Sequence, residues 1–243
     1  MNMRSLRFFA VAAGALLTLC GAAQAQDKPI PARIVTTVEL PTWYHEGLHF
    51  DGKYIWVANG LKGNIWVVDP DSGKVERELK PAGTFTEAVI SNDKELCIVT
   101  DWDMEKLYTA RIEDGALVAQ KEVAFGRSHP AGIAWNGKEL FVITWTRSLT
   151  GTRFAILKLN DTFKTVRSYP IKNIQEPSQL AWDGKYLWVS SWYDRRIYKL
   201  DPDTMDILGH IKSPVKKTTG IAWDGAFLWV TGTYSDLYKL ELQ

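Results

Sequence analysis

From residue 33 onward the chain is written in short apolar stretches, each bounded by Asp, Asn, Gly or Pro. None of them carries the 3.6-residue period of a long amphipathic helix, so strands and tight turns are the predicted elements. Comparing the chain with itself brings out five copies of one pattern, beginning at Gly47, Ala88, Gly132, Gln179 and Gly220. Each copy is a short apolar strand, a turn led by Asp or Asn, and a strand of β-branched or aromatic residues, as in Gln179-Leu180-Ala181-Trp182-Asp183-Gly184-Lys185-Tyr186-Leu187-Trp188-Val189. An Asx-Gly turn favours the positive φ angles of a tight hairpin. The turn residues Asp51, Asn92, Asn136, Asp183 and Asp224 are 41, 44, 47 and 41 positions apart.

A third strand follows in each copy, for example at 64–69 and 196–201, and Asp69-Pro70-Asp71-Ser72-Gly73 or Asp201-Pro202-Asp203-Thr204 marks the next turn. A fourth strand is predicted at 75–79, 117–125, 165–171 and 207–211. Four antiparallel strands repeated at this period predict an all-β fold, a five-bladed β-propeller. The last copy ends after its third strand, at 237–242, and residues 33–40 supply a strand that completes the blade and closes the ring. Blade repeats therefore start near residues 46, 87, 131, 178 and 219 of a single domain over 26–243.

Composition changes this picture in one respect: there are eleven Trp. Trp56, Trp188 and Trp229 share one strand position, held by Cys97 and Phe141 in the other copies, while Trp135, Trp182 and Trp223 share another. Both sets are expected to pack between blades, and Trp66, in a third strand, is expected in the core. Trp43, Trp102, Trp145 and Trp192 lie outside that explanation.

With 29 Lys and Arg against 28 Asp and Glu, the chain lacks the basic excess of a nucleic-acid binder. Residues 1–25 read as a secretory signal peptide: Arg4 and Arg7, an apolar run from Phe8 to Cys20 too short to span a membrane, then Ala23-Gln24-Ala25 before the predicted cleavage. A periplasmic or secreted protein that does not span the membrane is expected, a monomer whose remaining thiol, Cys97, is a small buried apolar group.

In a propeller the first strand of each blade lines a central channel. The residue before each first strand is Glu46, Glu87, Ala131, Ser178 or Thr219; the residue after each second strand is Gly60, Asp101, Trp145, Trp192 or Thr233. The two strands form a hairpin, so both sets are expected to ring one mouth. Glu46 and Glu87 are the candidate catalytic pair, since neighbouring carboxylates split their pKa values. Trp102, Trp145 and Trp192, with Asp101, Ser178, Thr233 and His129, are the candidate binding residues for a small molecule or a peptide N-terminus. A metal site from His45, Glu46, Glu87 and His129 has no supporting spacing, so neither a metal nor another cofactor is expected.

The chain resembles the plant- and bacterial-type glutamine cyclotransferases. The resemblance rests on Glu46-Gly47-Leu48, Asn59-Gly60-Leu61-Lys62-Gly63, Ser191-Trp192-Tyr193-Asp194, and Gly220-Ile221-Ala222-Trp223-Asp224 with Val230-Thr231-Gly232. It implies a secreted five-bladed propeller that converts N-terminal glutamine to pyroglutamate without a metal. It places one family acid at Glu87 and pocket indoles at Trp192 and, one residue shifted, Trp102. A second acid of the family falls at Val57, its Asn at Ser178 and its Lys at Thr233. Three readings follow: a ligand-binding protein with an acidic, aromatic mouth, a cyclotransferase whose relay uses Glu46, and a metal-dependent hydrolase.

Overall fold

The computed structural model describes residues 28–40, 43–91 and 96–243. The expected signal peptide and the turn at Asn92 lie outside the described residues. Among the described residues, twenty strands form five separate four-stranded antiparallel sheets, the blades of a five-bladed β-propeller. From the axis outward, blade one is His45–Phe50, Ile55–Asn59, Ile65–Val68 and Val75–Leu79; blade two is Thr86–Ser91, Leu96–Asp101, Lys106–Glu113 and Ala116–Ala124. Blade three is Ser128–Trp135, Leu140–Ser148, Gly151–Leu159 and Thr165–Ile171, and blade four is Pro177–Trp182, Leu187–Ser191, Arg196–Leu200 and Ile207–Lys212. Blade five is Thr218–Trp223, Leu228–Gly232 and Leu237–Leu242, completed on its outside by Ala32–Val38 from the start of the chain. The closing strand runs from Ala32 opposite Leu242 to Val38 opposite Leu237 and covers an edge that would otherwise be open. Among the described residues no helix is long and apolar enough to cross a membrane.

Second strands are mostly buried on both faces because each blade packs against two neighbours, and Ile55–Asn59 and Leu187–Ser191 are buried throughout. The fourth strands are largely exposed, as in Val75–Leu79, where only Leu79 is buried. Trp56, Trp188 and Trp229 are buried between blades, as their periodicity predicts. Each indole N–H donates to the hairpin Asp of its own blade: Trp56 to Asp51 (2.6 Å), Trp188 to Asp183 and Trp229 to Asp224 (both 2.8 Å). The other oxygen of each Asp accepts two turn amides, for instance those of Lys185 and Tyr186. Blade three has Phe141 in place of Trp, and its turn residue is Asn136, whose single carbonyl oxygen accepts the amides of Lys138 and Glu139. The sequence keeps the rule: Asp leads the turn wherever the strand holds Trp, and Asn leads it beside Phe141 and Cys97. A buried indole N–H needs an acceptor, and only a carboxylate can serve it while also holding the turn.

The second tryptophan set differs from expectation. Trp135 is 38% exposed, Trp182 and Trp223 are half-buried, and all three line a cavity at the end of the channel nearest these hairpin turns. They stand on the last residue of each inner strand, so one side of the ring packs on a blade, as Trp182 does over Phe141, and the other borders the axis.

Five inner strands leave little room at the axis. One residue per blade faces its neighbours there: Gly47, Ala88, Gly132, Gln179 and Gly220. A Cβ on Gly132 would lie 2.3 Å from Gln179 Cα, and one on Gly220 2.4 Å from the Glu46 carbonyl oxygen. The space left by four small residues is filled by the Gln179 side chain, whose Nε2 would stand 2.1 Å from a Cβ on Gly47. Gln179 Oε1 accepts from Ile133 N and Leu180 N, both at 2.8 Å, linking blades three and four. Gln179 thus divides the channel into two ends.

Candidate functional site

Each inner strand breaks register with its partner near its start, between His45 and Leu48, Thr86 and Ala88, Pro130 and Ile133, Pro177 and Leu180, and Thr218 and Gly220. The residues inside these bulges include Glu46, Glu87, Ala131, Ser178 and Thr219, the register singled out from the sequence. A bulge turns an extra residue out of the ladder, so these side chains face the mouth or the next blade rather than alternating with the strand. The register pairs His45 with Asn59, Thr86 with Asp101, His129 with Trp145, Pro177 with Ser191 and Thr218 with Gly232, so both predicted sets stand at the same end of the channel.

Glu46 is buried, and Glu87 keeps only part of its surface. Burial holds the Glu46 carboxyl well above the usual range, and the neighbouring Glu87 charge adds to it. Burial likewise pushes Glu87 up to about 8, with Asp101 contributing. Two carboxyls in one recess cannot both ionise cheaply, and Glu87, pushed up to about 8, is mostly an acid near neutral pH, able both to donate and to accept a hydrogen bond. Asp101 itself is tied into the fold: its carboxylate accepts the amides of Thr84 (2.7 Å), Phe85 (3.0 Å) and Met104 (2.9 Å). It fixes the loop that carries Phe85 into Glu87 and supplies charge from behind.

The aromatic wall has two parts. Trp102 stacks on His129, with ring centroids 4.5 Å apart, and meets Trp145 edge-on at 5.2 Å. His129 is held by the Trp102 carbonyl, and Trp145 Nε1 donates to the Pro177 carbonyl across to blade four. Trp192 stands apart from this cluster and carries the Lys217 ammonium 3.8 Å over its ring. Ser178 Oγ donates to the Thr218 carbonyl at 2.6 Å and meets Ser190 Oγ at 2.8 Å, so it joins blades four and five. Thr233 is buried, and its carbonyl accepts from Tyr44 N.

Sequence reasoning missed several groups at this mouth. A Cβ on Gly60 would touch both Phe85 and the Glu46 side chain, which places Phe85 against the acid. Tyr44, at φ 69°, packs edge-on to Tyr234 at 5.3 Å, and the Tyr234 hydroxyl is pushed up by its hydrogen bond with Tyr44, by burial and by Glu46. Tyr44 and Phe85 stand at equivalent positions, each two residues before the bulged Glu of its blade, outside the two registers singled out from the sequence. Among the described residues no group of three or more His, Cys, Asp or Glu comes together to hold a metal ion.

Residues 8–242 match the family described as glutamine cyclotransferase. The chain belongs to that family. The glutaminyl cyclase of Myxococcus xanthus superposes with a TM-score of 0.71 at 17% identity, covering 89% of this chain and 99% of that one. The PQQ-bound aldose sugar dehydrogenase of Streptomyces coelicolor superposes with a TM-score of 0.61 at 12% identity, over 88% and 98%. At such identities the likeness is one of fold. No curated protein matches the chain.

Within this family member, the position that the resemblance assigns to a second acid is Val57, which is fully buried in the inter-blade core with Leu48 and Trp66. Two other carboxyls interact with Glu87 at the mouth: Glu46, from the neighbouring inner strand, and Asp101, whose oxygens accept backbone amides.

Proposed function

We propose that this is an exported member of the glutamine cyclotransferase family that binds the amino end of a peptide, or a small amine, at its acidic and aromatic mouth. The observation that carries the reading is the pair of bulged, desolvated carboxyls, Glu46 and Glu87, at the same mouth as an indole that already accepts a cation. Lys217 over Trp192 occupies the place an incoming ammonium would take. An ammonium beside Glu87 stabilises the carboxylate, so binding expels a proton from a group with a pKa of about 8. Titrating the protein with a glutaminyl peptide while following tryptophan fluorescence tests the reading. A saturable change, absent in Trp192→Ala, is expected; no change, or an equal change in that variant, removes the mouth as the binding site.

A second reading, glutaminyl-peptide cyclotransferase, is favoured by the position of Glu87 and its pKa. Ring closure needs the substrate's free amine to attack its γ-carboxamide carbon, with a proton delivered to the departing ammonia. An acid that titrates near neutral pH suits that delivery. Ammonia release from a glutaminyl peptide well above the spontaneous rate, lost in Glu87→Gln, is the expected result on this reading. Release that persists in that variant would take Glu87 out of the reaction.

A further inference from the structure

The opposite end of the channel holds a second cavity. It lies on the far side of Gln179, has a volume of about 270 Å³ and is lined by all five inner strands. At its rim each strand contributes its last residue: Phe50, Ser91, Trp135, Trp182 and Trp223. One position further in, the alanines of blades three to five leave space, while His49 fills the blade-one side. The cavity therefore has an aromatic wall and one polar wall.

The polar groups have defined roles. His49 Nε2 lies 2.8 Å from the Ser91 carbonyl, which can only accept, so Nε2 carries the proton and Nδ1 offers a lone pair. Burial lowers the pKa of this imidazole and keeps it neutral near pH 7. The indole N–H groups of Trp56, Trp188 and Trp229 all end on carboxylates. Those of Trp135, Trp182 and Trp223 have no acceptor among the described residues, although they belong to the same repeat. Among the described residues, no Asp, Glu, Lys or Arg lines the cavity.

These features discriminate between ligand classes. A quaternary ammonium would gain the indoles but leave their N–H donors without acceptors and find no carboxylate. A phosphate or carboxylate would find no cation. A sugar ring fits both surfaces, with apolar C–H faces for indoles and hydroxyls that accept and donate. The volume falls just below the roughly 300–1,000 Å³ of sites for drug-sized ligands, which suits one ring rather than a chain of them. We propose that this end of the channel binds a single neutral sugar ring, stacked against the indoles, its hydroxyl oxygens accepting from indole N–H groups and one hydroxyl donating to His49 Nδ1.

Saturation-transfer NMR on the full chain tests this with methyl β-glucoside, methyl α-mannoside and N-acetylglucosamine, and with tetramethylammonium as the cationic probe. At least one saccharide should give a saturable signal. Trp135→Ala should weaken it roughly tenfold or more, Trp135→Phe by less, and Trp192→Ala at the other mouth should leave it unchanged. Trp135 belongs to none of the buried clusters, so its truncation should leave the thermal midpoint close to that of the parent. The proposal fails if no saccharide saturates, if the signal survives Trp135→Ala, or if Trp192→Ala removes it. Saturation by tetramethylammonium alone would overturn the assignment to a neutral sugar.

Discussion

The two ends of the channel grow from the same five strands, yet one is regular and the other is not. Beside the hairpin turns, four of the five blades place an aromatic residue at one position, Phe50, Trp135, Trp182 and Trp223, and the repeat is almost undisturbed. At the opposite end every inner strand bulges, and the bulged positions hold Glu46, Glu87, Ala131, Ser178 and Thr219, with no shared chemistry. Packing must satisfy every blade alike, so it keeps the repeat; a single ligand meets each blade differently, so a site breaks it. Gln179 belongs to the second kind, a long polar side chain where three other blades have glycine and one alanine.

Four substitutions sharpen that contrast. The largest effect is expected at the divide. Gly132→Ala puts a Cβ 2.3 Å from the Gln179 backbone, which cannot swing aside, and should cost about 3 kcal/mol or more in chemical unfolding. A cost below ~1 kcal/mol would mean that the blades can separate more easily than this packing allows.

At the regular end, Asp183→Asn turns an amide nitrogen toward the Trp188 N–H or forfeits a turn bond, and should cost about 1–3 kcal/mol. Adding Trp188→Phe copies the Asn136 and Phe141 pairing of blade three, so the double variant should lose less than the sum of the single variants. Simple additivity would show that the indole and the carboxylate do not depend on each other.

The effect most specific to the irregular end is on pH dependence. Glu87 titrates at about 8 in the fold and near the ordinary carboxylate value when unfolded, so the folded state holds an extra proton between those values. Its contribution is harmless below the unfolded value, and stability declines as pH rises toward about 8, beyond which the loss is complete. Glu87→Gln should therefore raise the thermal midpoint at pH above 8 and leave it nearly unchanged near pH 4. An equal gain at both would mean that Glu87 is not desolvated.

The fold was legible because it repeats. Five Asx turns at near-constant spacing fixed the blades, and the unpaired strand at 33–40 answered the missing strand at the other end. The carboxyl pair was legible as well, since Glu46 and Glu87 hold equivalent positions in consecutive copies. Roles beyond position were not. Asp101 and Ser178 occupy the expected register but spend their polar atoms on backbone groups, which only the loop geometry and the next blade's placement reveal. Trp135, Trp182 and Trp223 shared the periodicity of the core indoles, and period alone does not distinguish a strand's middle from its end. Gln179 was visible as a departure from glycine, although its meaning depends on how closely five strands approach at the axis.

The central claim is that the bulged mouth holds a protonated carboxyl which a bound amine discharges. Isothermal titration of the protein with alanyl-glycinamide, which has a free amino end and cannot form pyroglutamate, tests it at pH 7 in two buffers of different ionisation enthalpy. The predicted result is saturable binding whose heat depends on the buffer in the sense of proton release, with that dependence lost in Glu87→Gln. Binding whose heat is the same in both buffers, or no binding at all, would contradict it.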